Sequence, residues 1–220
     1  MTERRAASSQ ELPSSIGLFP LPGILLLPGA NLPLHIFEPR YRDLVRDALG
    51  RGRLIGMIQP LDPEDRSPAP ALYPVGCVGR MTSFRETEDG RFYISLTGVS
   101  RFRIVRELAA DTLYRQADVS WAGFAKDLND QEDVVIDREQ LMPVLREFFR
   151  QHTVKVDWDA LAQVPNHALV RSLAMTCPFA PRERQALLEA ASWTERGTMI
   201  LTLLQMAVRQ TGGSEKTVLQ

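Results

Sequence analysis

Over the first 125 residues, apolar positions come in short runs broken by proline and glycine. From about residue 131 onward they recur with a helical period. Ile16–Phe19, Leu25–Leu27 and Leu32–Phe37 have the length and composition of strands. Five prolines, Pro20, Pro22, Pro28, Pro33 and Pro39, cut this stretch. Proline has no N–H to give a ladder, so these strands read as bent or peripheral. After Pro39, residues Tyr41, Leu44, Val45, Ala48 and Leu49 share one helical face, and Gly50 and Gly52 end the helix. Leu54–Ile58 is a short buried strand. Gln59–Pro74, with five prolines and three acids, is a loop. Val75–Arg85 is a strand in which Gly76 and Gly79 mark a bulge or a close backbone approach. Glu88–Asp89–Gly90 signals a hairpin, after which Phe92, Ile94 and Leu96 alternate with polar residues. Gly98 interrupts the alternation before Phe102 and Ile104 resume it, and Tyr114–Trp121 is the last strand.

Gly123–Glu132 reads as a hinge, and beyond it the period changes to 3.6. Leu141, Val144, Leu145, Phe148 and Phe149 form an apolar stripe on a helix from about Asp137. A short helix over Asp157–Val164 ends at Pro165. Asn166 is placed to cap the next helix, which carries Leu169, Val170, Leu173 and Ala174. Pro181 begins another. Ser192 and Glu195 have capping-box spacing ahead of a last helix through Val208. The expected organisation is a disordered N-terminus (1–15), a β-rich domain (16–122), a helical domain (131–210) and a flexible tail (211–220). The fold class is α+β.

Composition narrows the chemistry. The 26 basic and 27 acidic residues nearly cancel, and neither half is basic enough to attract nucleic acid or an anionic membrane at long range. Only Lys126, Lys155 and Lys216 accompany 23 arginines, which leaves little material for Schiff-base, P-loop or Ser–Lys chemistry. Cys77 and Cys177 lie in apolar surroundings with no C-x-x-C partner, so buried, reduced thiols are expected. No apolar run has signal-peptide or membrane-spanning length, and a cytoplasmic protein is expected. His35, His152 and His167 are scattered without metal-ligand spacing, and no metal or cofactor is expected.

Four blocks in order then carry a family resemblance. LFPLPGILLLPGANLPLHIFEPRY (Leu18–Tyr41), RLIGMIQP (Arg53–Pro60), YPVGCVGRM (Tyr73–Met81) and GRFYISLTGVSRFRIVRE (Gly90–Glu107) resemble the N-terminal, substrate-binding domain of Lon proteases. The last block includes that family's Gly-x-x-Arg step, here Gly98 to Arg101. The resemblance covers Ile16 to Trp121, and the helical half looks like the helices that follow the domain in Lon and in short relatives. It implies a PUA-like, partly open β-barrel followed by a helical bundle. It also implies a non-catalytic module that recognises unfolded or degron-bearing polypeptide, as an adaptor or holdase linked to proteolysis. The partners so implied are such peptides and a protease or chaperone. TGGSEKT (Thr211–Thr217) lacks the second glycine of a Walker A loop, and no serine or lysine lies in a Ser–Lys protease context. A stand-alone, non-enzymatic form is therefore expected.

The candidate contacts for extended peptide are Leu61, Leu72 and Tyr73, in or beside the proline loop, together with Phe84 and Tyr93. Addition of a peptide strand to a sheet edge would suit sequence-tolerant recognition. An RNA-binding, PUA-like module is the alternative, with Phe84 or Tyr93 stacking on bases and Arg80, Arg85, Arg91, Arg101, Arg103 and Arg106 on phosphates. Interleaved Glu86, Glu88, Asp89 and Glu107 read instead as a solvated surface of mixed charge. His35, near Glu38 and Arg40, is expected to make structural polar contacts. Glu38-Pro39-Arg40-Tyr41 is expected to serve helix entry more than ligand contact.

Overall fold

In a computed structural model, which describes residues 12–128, 134–153 and 155–214, six strands form one sheet in the order β2-β5-β4-β3-β1-β6. They are β1 (Ser15–Pro20), β2 (Asn31–Ile36), β3 (Leu54–Ile58), β4 (Val75–Glu86), β5 (Phe92–Leu108) and β6 (Gln116–Ser120). The long β5 pairs antiparallel with β2 and β4, and its far end pairs with β6 as well. β1 and β3 run parallel, through Leu18–Gly56 to Pro20–Ile58. Bulges at Val78/Gly79, Met81/Ser83 and Ile104/Arg106 bend the long strands. Inward side chains alternate as the sequence demands: Phe92, Ile94 and Leu96 are buried while Tyr93 is exposed. Ile16, Leu18, Ile58, Val78, Phe102, Ala117 and Val119 form a core cluster.

Helix α1 (Pro39–Gly50) follows β2, with proline in its first turn, Tyr41, Leu44, Val45 and Ala48 buried, and no side-chain bond from Glu38 at its cap. Leu25–Leu27 is buried but is not a strand. Positive φ at Gly23 and Gly29 turns the chain on either side of it, and its backbone bonds go to turns, such as Ala30 N–H to Leu27 C=O. Leu12–Ser15 belongs to the fold: Pro13 C=O accepts from Trp121 Nε1, and Ser14 C=O from Val119 N–H.

The chain divides into two compact units, Met1–Gln131 with Ala180–Leu188, and Glu132–Phe179 with Glu189–Gln220. The first unit thus includes most of helix α5 (Pro181–Glu189), which the periodicity placed among the helices of the second half. Two buried glutamines hold it there. Gln59 Nε2 donates to Gln185 Oε1 (3.2 Å) and Pro181 C=O (3.3 Å), and Gln185 Nε2 donates to Val75 C=O (3.0 Å). Part of the expected hinge is packed as well: Phe124 is buried, and Ala125–Leu128 forms a 3₁₀ turn whose Asp127 pairs with the buried Arg101.

The second unit contains α2 (Arg138–Gln151), α3 (Trp158–Gln163), α4 (Asn166–Thr176) and α6 (Trp193–Ser214). Asp137 caps α2 by accepting from Gln140 N–H. Asn166 does not cap α4, whose N-cap is Pro165. Its side chain instead donates to Val134 C=O and accepts from Arg138 Nε. Ser192 accepts from Glu195 N–H, and Glu195 reaches back to Ala191 N–H, which completes the expected start of α6. The expected tail begins inside α6, whereas residues 1–11, the hinge residues 129–132 and Lys216 of TGGSEKT lie outside the described residues.

Candidate functional site

Three strands bring His35, Tyr93 and Arg85 into one row, since the register sets His35 opposite Tyr93 and Tyr93 opposite Arg85. The Tyr93 ring stacks on His35 with centroids 4.5 Å apart, and the Arg85 guanidinium lies 5.1 Å from its centroid. Phe37, 57% exposed, extends this surface with its ring 5.8 Å from that of His35. His35 is therefore part of an exposed aromatic row. The polar contacts expected of it belong to Glu38 and Arg40, which pair with each other.

Phe84 is also exposed, but its partner across the ladder is Ile94. Successive residues of a strand face opposite ways, so Phe84 and Tyr93 lie close together on opposite faces of the ribbon. On its own face, Phe84 has the Arg53 guanidinium 6.0 Å from its ring centroid. Both residues line a shallow depression with Pro33, Leu34, His35 and Arg85.

The three loop candidates are not part of that depression. Leu61 N–H donates to Ala71 C=O and Tyr73 N–H to Gln59 C=O, which closes the proline loop at its neck around a Pro60–Leu72 bridge. Leu72 is packed against the core cluster, Tyr73 is half-buried, and Leu61 is exposed. The loop's own aspartate Asp65 accepts from Ser67 N–H, which holds its carboxyl below the usual range.

A second concavity, a cleft of about 320 Å³, lies between this loop, the end of β1, the start of α1 and residues 113–115. Prolines form much of its wall. Arg40 and Tyr41 line it, so the segment that starts the helix also faces the cleft. The cationic groups here are matched internally. Arg40 pairs with Glu38 (2.8 Å), and Arg115 bonds Glu107 (2.7 Å) and Pro70 C=O (2.6 Å). Tyr41 donates to Pro20 C=O, and burial raises its pKa against the lowering effect of Arg40. Contacts over such sequence distances leave no periodic trace, and only the density of prolines in the loop hints at the cleft.

Among the described residues no group of three or more His, Cys, Asp or Glu side chains could hold a metal ion, and no helix is long and apolar enough to cross a membrane. The surface features are an aromatic row with Arg85 on the β2-β5-β4 ribbon and a proline-walled cleft lined by Arg40, Tyr41 and Arg115. Comparison with known proteins gives them a family. The model of the ATP-dependent protease La (LON) substrate-binding domain matches residues 15–206. The chain belongs to this family.

Among full-length relatives, the Lon protease of Flavobacterium johnsoniae is 23% identical over 212 residues, 92% of this chain and 25% of that protein. Lon protease 2 of Myxococcus xanthus is 25% identical over 210 residues, 90% of this chain and 24% of that protein. The chain thus spans about a quarter of the length of these relatives, and the match falls on the substrate-binding part. A Lon N-terminal domain protein from Xanthomonas campestris has a similar solved structure, with TM-score 0.61 and 27% identity. The match covers 86% of this chain and 98% of that one. The N-terminal domain of a Mycobacterium avium complex Lon protease, at 15% identity and TM-score 0.54, shares the fold. The Lon resemblance read from the four blocks is borne out, and the match extends through the helical half.

Proposed function

We propose that this LON substrate-binding domain protein is a non-catalytic module that captures exposed, unfolded or degron-bearing polypeptide in the bacterial cytoplasm and serves proteolysis as an adaptor or holdase. The match of residues 15–206 to a substrate-binding domain carries this reading. The ring of pairings from β5 through β4, β3, β1 and β6 back to β5 supports a partly open, PUA-like barrel. The second unit is its accompanying helical bundle. Phe84 and Tyr93 are the proposed apolar contacts on the β2-β5-β4 ribbon. Leu61, Leu72 and Tyr73 contribute from the proline loop, with Leu72 acting through the core that it packs on. Aromatic side chains carry much of the energy of such contacts, because they bury large area at small entropic cost.

The test is fluorescence-anisotropy titration of a labelled unfolded polypeptide, with its folded form and a short RNA as controls. Preference for the unfolded chain with weak salt dependence is the expected result. Binding confined to the RNA, falling steeply with salt, would replace this reading with one of phosphate recognition.

A further inference from the structure

Among the described residues β2 is the one strand with a single neighbour, since the pairings of the other five return on themselves. One open edge remains, and its hydrogen-bonding parity can be read from the ladder. Gly98 N–H donates to Ala30 C=O, and the register continues from Asn31–Thr97 to Ile36–Phe92. Bonded pairs alternate in an antiparallel ladder, so Leu32, Leu34 and Ile36 exchange bonds with β5. Asn31, Pro33 and His35 turn their main-chain groups outward. This explains how a proline stands inside an unbroken strand: its missing N–H costs the ladder nothing.

The outward row offers the N–H groups of Asn31 and His35 and the C=O groups of Asn31, Pro33 and His35. They repeat every two residues, about 6.8 Å apart, a spacing that an extended main chain matches. All three side chains are exposed, and the stacked His35–Tyr93 rings and Phe37 lie beside this edge. We propose that the β2 edge takes an extended apolar peptide as an added strand, bonded at Asn31 and His35. In this arrangement Pro33 holds the attachment below full strength. The inference rests on the polypeptide-recognition reading and names the place and the mode of capture. A peptide carbonyl facing Pro33 finds a ring instead of a donor, so attachment is short and reversible and the edge does not template a growing sheet.

The test uses the full chain and labelled, reduced and carboxymethylated α-lactalbumin as the unfolded probe. Pro33→Val supplies the missing outward donor, and Asn31→Pro removes an existing one. Neither touches a ladder bond, and thermal unfolding checks that each variant keeps the fold. One hydrogen bond corresponds to a change of about fivefold, so Pro33→Val is expected to tighten binding by that factor and Asn31→Pro to weaken it equally. In the wild-type protein, exchange of the Asn31 and His35 amides should slow when the probe is added. If the wild type binds but neither substitution changes affinity and the two amides stay unprotected, the edge reading is overturned while the recognition function stands. If neither wild type nor Pro33→Val binds, both fall. Self-association of Pro33→Val without tighter probe binding would give the edge to a second copy of the chain and overturn the proposal.

Discussion

Arg101 and Asp127 form a two-pronged buried ion pair, with Nε 2.9 Å from Oδ2 and Nη2 2.8 Å from Oδ1. The same carboxylate accepts from the Arg101 N–H, the guanidinium bonds Leu188 C=O, and the Phe124 ring centroid lies 4.9 Å from it. Truncating one member of such a pair strands the other charge away from water, at a cost of about 3–5 kcal/mol. Asp127→Ala is expected to destabilise the protein by that amount in urea unfolding. A double replacement of the pair by apolar residues of similar volume should recover most of the loss.

Gln185 gives a smaller effect of the same kind. Its amide accepts from Gln59 and donates to Val75 C=O, and all of these groups belong to the first unit. Gln185→Leu leaves buried polar atoms without partners, at about 1–3 kcal/mol for each group stranded. Slower-exchanging amides of α5 should lose protection before those of β4 and β5, a difference that hydrogen exchange would read.

Gly98 is where two backbones meet. A Cβ built there would run into the carbonyl of Leu27, while Gly98 itself bonds Ala30 and Gly29 through its N–H and C=O. Backbone cannot step aside as a side chain can. Gly98→Ala is therefore expected to cost at least about 1–3 kcal/mol, the range for overpacked sites, and to lower the unfolding temperature.

Gly98 and Arg101 also show how the sequence could be read. The Gly-x-x-Arg step resolves into two physical needs, close approach at one end and a buried ion pair at the other. Alternation located β5, and the 3.6 period located α1, α2 and α6. Short apolar runs bounded by turn signals located β3 and β4, which bury successive residues over Ile55–Ile58 and Val75–Gly79. What escaped were relationships with no period. Gln59 and Gln185 are polar residues 126 positions apart, so the membership of α5 in the sheet unit was illegible. Leu25–Leu27 looked like a strand because burial was visible but ladder partners were not. Of the candidate site, Phe84 and Tyr93 could be named from their aromaticity on an alternating strand. Their opposite faces, and the single open edge beside them, depend on register.

Tyr114 supplies a prediction in pH. Its hydroxyl donates to Asp47 Oδ2 at 2.6 Å, and burial, followed by that bond, pushes its pKa up to about 12 from 10.0. A group whose pKa rises on folding stabilises the protein fully below its unfolded value, and this contribution disappears as pH climbs through the folded value. The contribution is thus intact below pH 10 and lost between about pH 10 and 12. Absorbance at the phenolate band should show Tyr114 titrating late, alongside Tyr41, whose pKa burial also raises. Tyr114→Phe should remove its share of that late titration and flatten the alkaline fall in stability.

The second unit's segment Glu132–Phe179 is inserted between two parts of the first. During synthesis the six strands leave the ribosome well before α5, and Gln59 meets Gln185, and Arg101 the Leu188 carbonyl, only when residues 180–188 follow. The sheet can collapse early, yet its last buried polar partners arrive only after the intervening helices have been made. A ribosome stalled near residue 179 would hold a nascent sheet with an unfilled seat for one short helix.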